Sequence, residues 1–450
     1  MFYPVRTMAD TATIKQAIVD HNKRIHEASL SDGTYRGEEG ILLMKPEVAR
    51  SYNLKVPEYK KYEMGKKLYK DAEKTFEKIL KLMEIRSKNR QARKKQILQL
   101  ADLSVRYNRT LKKAREKFEE HRFMLDPNSD ERLDDKICYS LLEILLEESL
   151  IAESLNLRNS LGLFYNLSRG INEKNFPLTA TNVRFVNFVF NAAKSGLHQN
   201  PKDEFDMDVH MAVGKDMLRT GWRRALGSED AHYLGLIESE LQSRKNKAGS
   251  VDALLFLALI KQESRFDPEN VSRVGAAGLT QIMPGTGKKL GMKSIFSPPY
   301  YDEAGALLRK ERSLMRKAKK LILEINEENK LELAKQAIEM ASQSKDYQKR
   351  RNVLFERYAR ELKASGKDER LNPAKSIKYG LDYFSRMIEL QKGDMSLALA
   401  SYNAGPHRVK QYKGIPPYSE TVGFRNRVLK YYKEYLDTLG EYRIKKKGKI

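Results

Sequence analysis

After Pro57 and up to Phe123 the chain contains no proline, and its only glycine is Gly65. Apolar residues such as Leu68, Ala72, Phe76, Ile79, Met83, Leu100, Leu111 and Phe118 recur there near helical spacing, between dense Lys, Arg and Glu. A stretch this long without a breaker and with a 3.6-residue period fits helix and excludes strand. It predicts a long helix, or a helical hairpin broken around Ser87 to Arg90. The same pattern recurs. Asp126-Pro-Asn-Ser-Asp130 is a turn, and Asp135 to Leu155 reads as a leucine-rich amphipathic helix. Thr181 to Lys194 is apolar on nearly all sides and must be buried; its Val and Phe residues suit a strand, while Asn182, Asn187, Asn191, Ala192 and Ala193 tip the reading towards a buried helix. Asp206 to Gln242 reads as two helices parted at Gly227, with Ser228 as the N-cap. Glu303 to Ala364 is another charged helical segment, too long to be a structureless loop, and is expected to be a hairpin lying beside or over a groove. The fold expected is all-α.

A length of 450 residues and 40% hydrophobic content suffice for two or three ordinary cores. The formal net charge of +24 predicts attraction to polyanions, which include nucleic acid, an anionic membrane surface and a cell wall. The single cysteine, Cys138, excludes an internal disulfide, and its apolar helical setting points to a buried structural thiol. The histidines form no zinc-type pattern. Asp203, Glu204, Asp206, Asp208 and His210 cluster without the glycine and terminal glutamate of a calcium loop, which favours a solvated helix start. Gly285-Thr-Gly-Lys-Lys289 lacks the first glycine and the Ser or Thr of a phosphate loop. The longest apolar run, Ala253 to Ile260, is too short to span a membrane. The first residues have neither the charged nor the apolar region of a secretory signal.

Glu263 stands apart. It closes the apolar stretch Val251-Asp-Ala-Leu-Leu-Phe-Leu-Ala-Leu-Ile-Lys-Gln-Glu263, where burial would raise a carboxyl pKa towards the range a general acid needs. No other acid occurs from Asn270 to Tyr301. The nearest, Asp267 and Glu269, lie in a turn expected to face water.

Four segments in order carry a resemblance: Glu263-Ser264, Gly278-Leu-Thr-Gln-Ile-Met-Pro284, Ser401-Tyr-Asn-Ala-Gly405 and Glu420-Thr421. They resemble the catalytic domain of soluble lytic transglycosylases, lysozyme-like enzymes that cut bacterial peptidoglycan without water as acceptor. Leu371-Asn-Pro-Ala-Lys-Ser-Ile-Lys-Tyr-Gly380 is similar to that family's Asn-Pro helix start. The resemblance covers Ser250 to Pro298 and Leu371 to Tyr435, roughly a quarter of the chain. Thr280, Ser401 and Val422 depart from the family's usual Met, Ala and Arg.

The resemblance implies a lysozyme-like catalytic domain at 246–440 with an inserted charged hairpin at about 300–370. Ahead of it are expected a lead-in at 1–55, loosely structured because Pro4, Gly33, Gly37, Gly40 and Pro46 stand there among polar residues, and a helical accessory region at 56–245; a basic, disordered tail at 441–450 follows. It implies cleavage of the MurNAc–GlcNAc β-1,4 bond with a 1,6-anhydro product, Glu263 acting first as acid and then as base. Ser272, Gln281, Met283, Tyr402, Asn403 and Glu420 are implied as substrate-binding residues. No metal or organic cofactor is implied. Glycan strands and an anionic envelope surface are the expected partners; nucleic acid is disfavoured because no binding motif accompanies the charge. The expected location is the periplasm or cell envelope, or a phage virion. The alternatives are a goose-type lysozyme-like hydrolase and an inactive wall-binding or scaffold protein.

Overall fold

The computed structural model of the chain describes residues 8–86, 89–153, 156–173, 175–196, 226–244 and 251–447. Among these every regular element is helical, and the β-type pairings are isolated bridges such as Ala277 to Ile282. The expected all-α class is therefore observed. The acidic cluster at 203–210, and the first of the two helices expected between Asp206 and Gln242, lie outside the described residues.

The chain divides into two compact units, Met1–His21, Leu142–Ser297 and Ala359–Ile450 forming one, and Asn22–Leu141 with Pro298–Tyr358 the other. This partition differs from the expected succession of lead-in, accessory region and catalytic domain, because the inserted hairpin shares a core with the first one.

In the first unit, helix α9 (Ala253–Ser264) is the centre. Asp252 caps it by accepting a hydrogen bond from the Leu255 amide, and each residue from Ala253 to Ile260 is buried. A helix apolar all round must be enclosed. The enclosure comes from α8 (Ser228–Ser243), α13 (Pro373–Leu390), α14 (Met395–Ala404) and α16 (Ser419–Lys447), through Leu234, Leu381, Phe384, Leu399, Phe424 and Val428. Each such side chain contributes about 1.5–3 kcal/mol when fully buried. Helix α9 stops because Arg265 and Phe266 both adopt left-handed backbone, with φ of 54° and 66°.

The same unit holds α6 (Leu157–Arg169) and α7 (Val183–Gly196), the latter being the buried helix expected over Thr181 to Lys194. Gly227, not Ser228, occupies the N-cap of α8, and Ser228 is its first residue. The basic segment expected to be a disordered tail continues α16 as far as Lys447. Lys and Arg are good helix formers, so a charge run need not end a helix.

In the second unit, α3 (Lys60–Glu84) and α4 (Arg90–Arg122) form the hairpin expected, with the break where it was placed. Helices α11 (Pro299–Glu324) and α12 (Lys330–Ser365) form a second. Ile79, Met83, Leu100, Ala101, Ala318, Ile322, Ala334 and Ala337 make a shared core in which the alanines leave room for helices to approach. Asn108 donates to the carbonyls of Ile322 and Ile325, satisfying the end of α11.

The lead-in is structured as well. Helix α1 covers Met8–Ser31 and α2 covers Pro46–Ser51. Gly33, Gly37 and Gly40, taken in the sequence as marks of looseness, sit in the turn between the two helices, and Pro46 at the first position of α2; Pro4 lies outside the described residues. Beyond them a short 3₁₀ turn, Glu131–Leu133, leads into α5 (Asp135–Ala152). Arg132 in that turn is fully buried, paired with Asp130 and bonded to the carbonyls of Gly37 and Met44. Cys138 is buried beside it, and burial pushes its thiol up to about 12, as suits a structural residue.

Candidate active site

The end of α9 and the turn that follows build the site. Glu263 is partly buried, and desolvation of its carboxyl, followed by the charge of Glu420, raises its pKa to about 8. At neutral pH it is therefore mainly protonated. Asp267 and Glu269 are exposed, as expected of a turn facing water, and Asp267 accepts from the Glu269 amide.

The turn from Asn270 to Pro284 folds back through two bridges, Val271 to Ala277 and Ala277 to Ile282. Ser272 organises it: its amide donates to the Ala276 carbonyl at 2.8 Å, and its hydroxyl accepts from the Ala276 amide at 2.9 Å. Gly278 is obligatory, since its φ is +78° and a Cβ there would lie 1.7 Å from the Arg370 carbonyl oxygen. Gln281 is held in left-handed backbone, φ 47°, with its side-chain amide donating to the carbonyls of Asn270 and Gly278. Met283 caps α10 (Pro284–Leu290) and is 38% exposed, so it is not a core residue.

Tyr402 is buried. Its hydroxyl donates to the Thr280 carbonyl at 2.7 Å, its ring stacks on Phe424 at 6.4 Å, and it interacts electrostatically with Glu263. Asn403 is tied to the next element instead, its side-chain oxygen accepting from the Thr421 hydroxyl at 2.8 Å. Glu420, in the first turn of α16, is exposed.

The departures from the family pattern are accommodated locally. Thr280 is fully buried and its hydroxyl donates to the Ser376 carbonyl at 3.1 Å; a Cβ on Gly380 would lie 2.5 Å from its methyl carbon. Ser401 accepts from Gln391, and Val422 is buried.

Sequence reasoning missed Arg370. It is fully buried in a second 3₁₀ turn, Glu369–Leu371, paired with Asp368, and it donates to the carbonyls of Gly275 at 3.0 Å and Ile282 at 3.3 Å. It thereby ties the turn bearing Gln281 to the start of α13. In the sequence Asp368-Glu-Arg-Leu reads as a solvated charge run. Among the described residues no group of His, Cys, Asp and Glu is arranged to hold a metal.

Fold and site define an all-α protein with one desolvated carboxyl at the end of an enclosed helix and an exposed second carboxyl acting on it through its charge. The Transglycosylase SLT domain family model matches residues 240–306 and 351–421, two segments parted within the second hairpin. A transglycosylase of Enterobacteria phage PRD1 is 37% identical over 90 residues, which are 20% of this chain and 28% of that protein. The chain thus spans little more than a quarter of its relative's length. Two solved structures are loosely similar, each 16% identical. The 70 kDa soluble lytic transglycosylase SLT70 of Escherichia coli has a TM-score of 0.29, with 87% of this chain and 65% of that one covered. An inactive mutant of lytic transglycosylase Slt from Pseudomonas aeruginosa has a TM-score of 0.27, with 97% and 69% covered.

Proposed function

We propose that the protein is a peptidoglycan lytic transglycosylase that cleaves the MurNAc–GlcNAc β-1,4 bond and leaves a 1,6-anhydro-MurNAc end. The observation that carries the reading is the partly buried carboxyl of Glu263 at the end of an enclosed apolar helix, where desolvation favours its protonated form, with an acid-free turn beside it. Hydrolysis of a glycoside by the usual routes uses two carboxyl groups, one as acid and one as nucleophile or base. An intramolecular acceptor removes that need. Glu263 protonates the bridging oxygen as the bond to C1 breaks. The resulting carboxylate then takes the proton of the muramyl 6-hydroxyl as that oxygen bonds to C1, and the enzyme returns to its starting protonation. Holding that hydroxyl near C1 replaces a bimolecular attack by an intramolecular one.

In this reading Glu420 keeps Glu263 protonated through its charge. Gln281, Met283 and Ser272 line the groove, Tyr402 and Asn403 fix its far wall, and the substrate is a glycan strand of the cell wall, met at the envelope or delivered by a virion. Digestion of purified sacculi followed by mass spectrometry tests it: anhydro-ended muropeptides are expected from the wild type and none from Glu263→Gln. Products heavier by one water would replace transglycosylation by hydrolysis. Binding without any release would leave a wall-binding protein.

A further inference from the structure

The turn held by Arg370 occurs twice. Gly37-Glu-Glu-Gly-Ile-Leu-Leu-Met-Lys-Pro46 parallels Gly275-Ala-Ala-Gly-Leu-Thr-Gln-Ile-Met-Pro284, and Asp130-Glu-Arg-Leu133 parallels Asp368-Glu-Arg-Leu371. The geometry repeats in detail. Each arginine pairs with the aspartate two residues before it and bonds two carbonyls, 95 and 88 residues back in both cases. Gly40 and Gly278 would each drive a Cβ into the arginine's carbonyl oxygen, at 1.8 and 1.7 Å. Leu43 and Gln281 share left-handed backbone, φ 48° and 47°. Glu131 accepts from the Lys55 amide as Glu369 does from that of Lys293, 76 residues apart in both.

The elements follow the same order in each half: helix, short Pro-started helix, long hairpin, 3₁₀ turn, and a helix of 18 residues, α5 and α13. Later, Pro177-Leu-Thr-Ala-Thr-Asn-Val-Arg-Phe-Val-Asn187 parallels Pro416-Pro-Tyr-Ser-Glu-Thr-Val-Gly-Phe-Arg-Asn426. Phe185 stacks on Phe164 at 6.1 Å as Phe424 stacks on Tyr402. Counted from the shared turn, Ile25 stands where Glu263 does, Leu43 where Gln281 does and Lys45 where Met283 does. Helix α1 also runs on to Ser31, without the left-handed pair that ends α9. The first half has neither the acid nor the bend that presents it.

What the first half retains is a set of contacts within the first unit. Arg158 makes a two-pronged ion pair with Asp394, at 3.1 and 2.5 Å, and lies over the Phe190 ring at 3.7 Å. Asp394 is the N-cap of α14, the helix that carries Tyr402 and Asn403. Asn187 clamps Ile415, donating to its carbonyl at 2.9 Å and accepting from its amide at 3.1 Å, and Asn191 donates to the Lys413 carbonyl at 2.7 Å. The Lys413–Ile415 strip leads into α16 and Glu420. Asn426, the counterpart of Asn187, returns the contact by donating to the Leu178 carbonyl at 2.7 Å.

We propose that residues 13–196 are a second, acid-less copy of the catalytic fold, retained as a built-in clamp in which Arg158 and Asn187 are positioning residues for Tyr402 and Glu420. The proposal rests on the functional reading above for its activity readout. It predicts a shift in the pH profile that loss of stability alone would not produce. Among the described residues, the titratable groups that interact electrostatically with Glu263 are Glu420 and Tyr402. Releasing the strip before Glu420 weakens the repulsion that keeps Glu263 protonated.

The experiment compares the full-length wild type with Asn187→Ala, measuring release of glycan fragments from sacculi across pH 5 to 10. The alkaline limb is expected to move down by about 0.5–1 unit, with several-fold lower activity at pH 8. An unmoved limb with a lowered thermal midpoint would make Asn187 merely structural and overturn the clamp. Should Asn187→Ala fail to fold, Asn191→Ala is the substitute, with a smaller shift in the same direction expected and an unmoved limb again overturning it. Fragment release persisting in Glu263→Gln would overturn the silence of the first copy. If the wild type releases nothing, the functional reading fails. The clamp is then read from the protonated-carboxyl infrared band that Glu263→Gln removes, whose titration must move down in Asn187→Ala.

Discussion

A glutamate kept neutral at pH 7 is costly for the fold and useful only for chemistry. The Glu263 pKa of about 8 lies above the 4.5 of a free glutamate, so the folded chain holds a proton that the unfolded chain releases between those values. Stability from this residue is therefore undiminished below about pH 4.5 and falls as pH rises through about 8. Glu263→Gln removes the dependence: its thermal midpoint is expected to exceed that of the wild type at pH 9 and to match it near pH 4, by differential scanning calorimetry. Activity of the wild type is expected to fall above about pH 8, as the general acid loses its proton. At this scale the sequence was informative about Glu263, because a lone acid ending an apolar helix is a local pattern. The hydrogen bond of Tyr402 to Thr280 was not legible, since it joins residues 122 apart in the chain, and that of Asn403 to Thr421 depends on how α14 meets the start of α16.

At the scale of elements, what matters is how the ends are held. Arg370 and Asp368 are buried together, so removing one partner strands the other's charge. Arg370→Met is expected to cost about 3–5 kcal/mol in urea unfolding. Helix α9 depends instead on packing, and Leu257→Ala, at a fully buried position, is expected to cost about 2–5 kcal/mol by the same measurement. Helical spacing revealed α3, α4, α5, α11 and α12, because it is written in every turn of the chain, whereas α7, apolar on nearly all sides, was read from its Asn and Ala residues. The lead-in was misread because glycine and proline were counted as looseness. They are placed at a turn and a helix start, and Ile14, Ala17 and Ile18 bury a face of α1 at helical spacing. Arg132 and Arg370 were invisible for the opposite reason. A buried arginine is recognised by its partners, and those carbonyls lie 88 and 95 residues away.

For the whole molecule, acid sensitivity should arise in the second unit. His121 is fully buried between Tyr59 and Tyr62, and neither ring nitrogen has a hydrogen-bond partner among the described residues. Burial, and then the nearby Arg132 charge, lower its pKa from 6.5 to about 4, with Glu39 and Asp130 opposing. The unfolded chain binds a proton that the folded chain refuses, so this part of the stability is full above about pH 6.5 and is lost as pH falls towards 4. His121→Phe is expected to flatten the loss of thermal midpoint between pH 6.5 and 4. Repetition of the fold was also hidden at this scale, since composition and helical period look alike in any two helical stretches. It has a practical consequence. Because one arginine holds the turn that follows the proposed acid and its twin holds the matching turn of the first half, the chain contains its own experimental control. Whatever Arg132→Met does to unfolding calibrates the structural damage, and only the excess loss of turnover in Arg370→Met belongs to the chemistry.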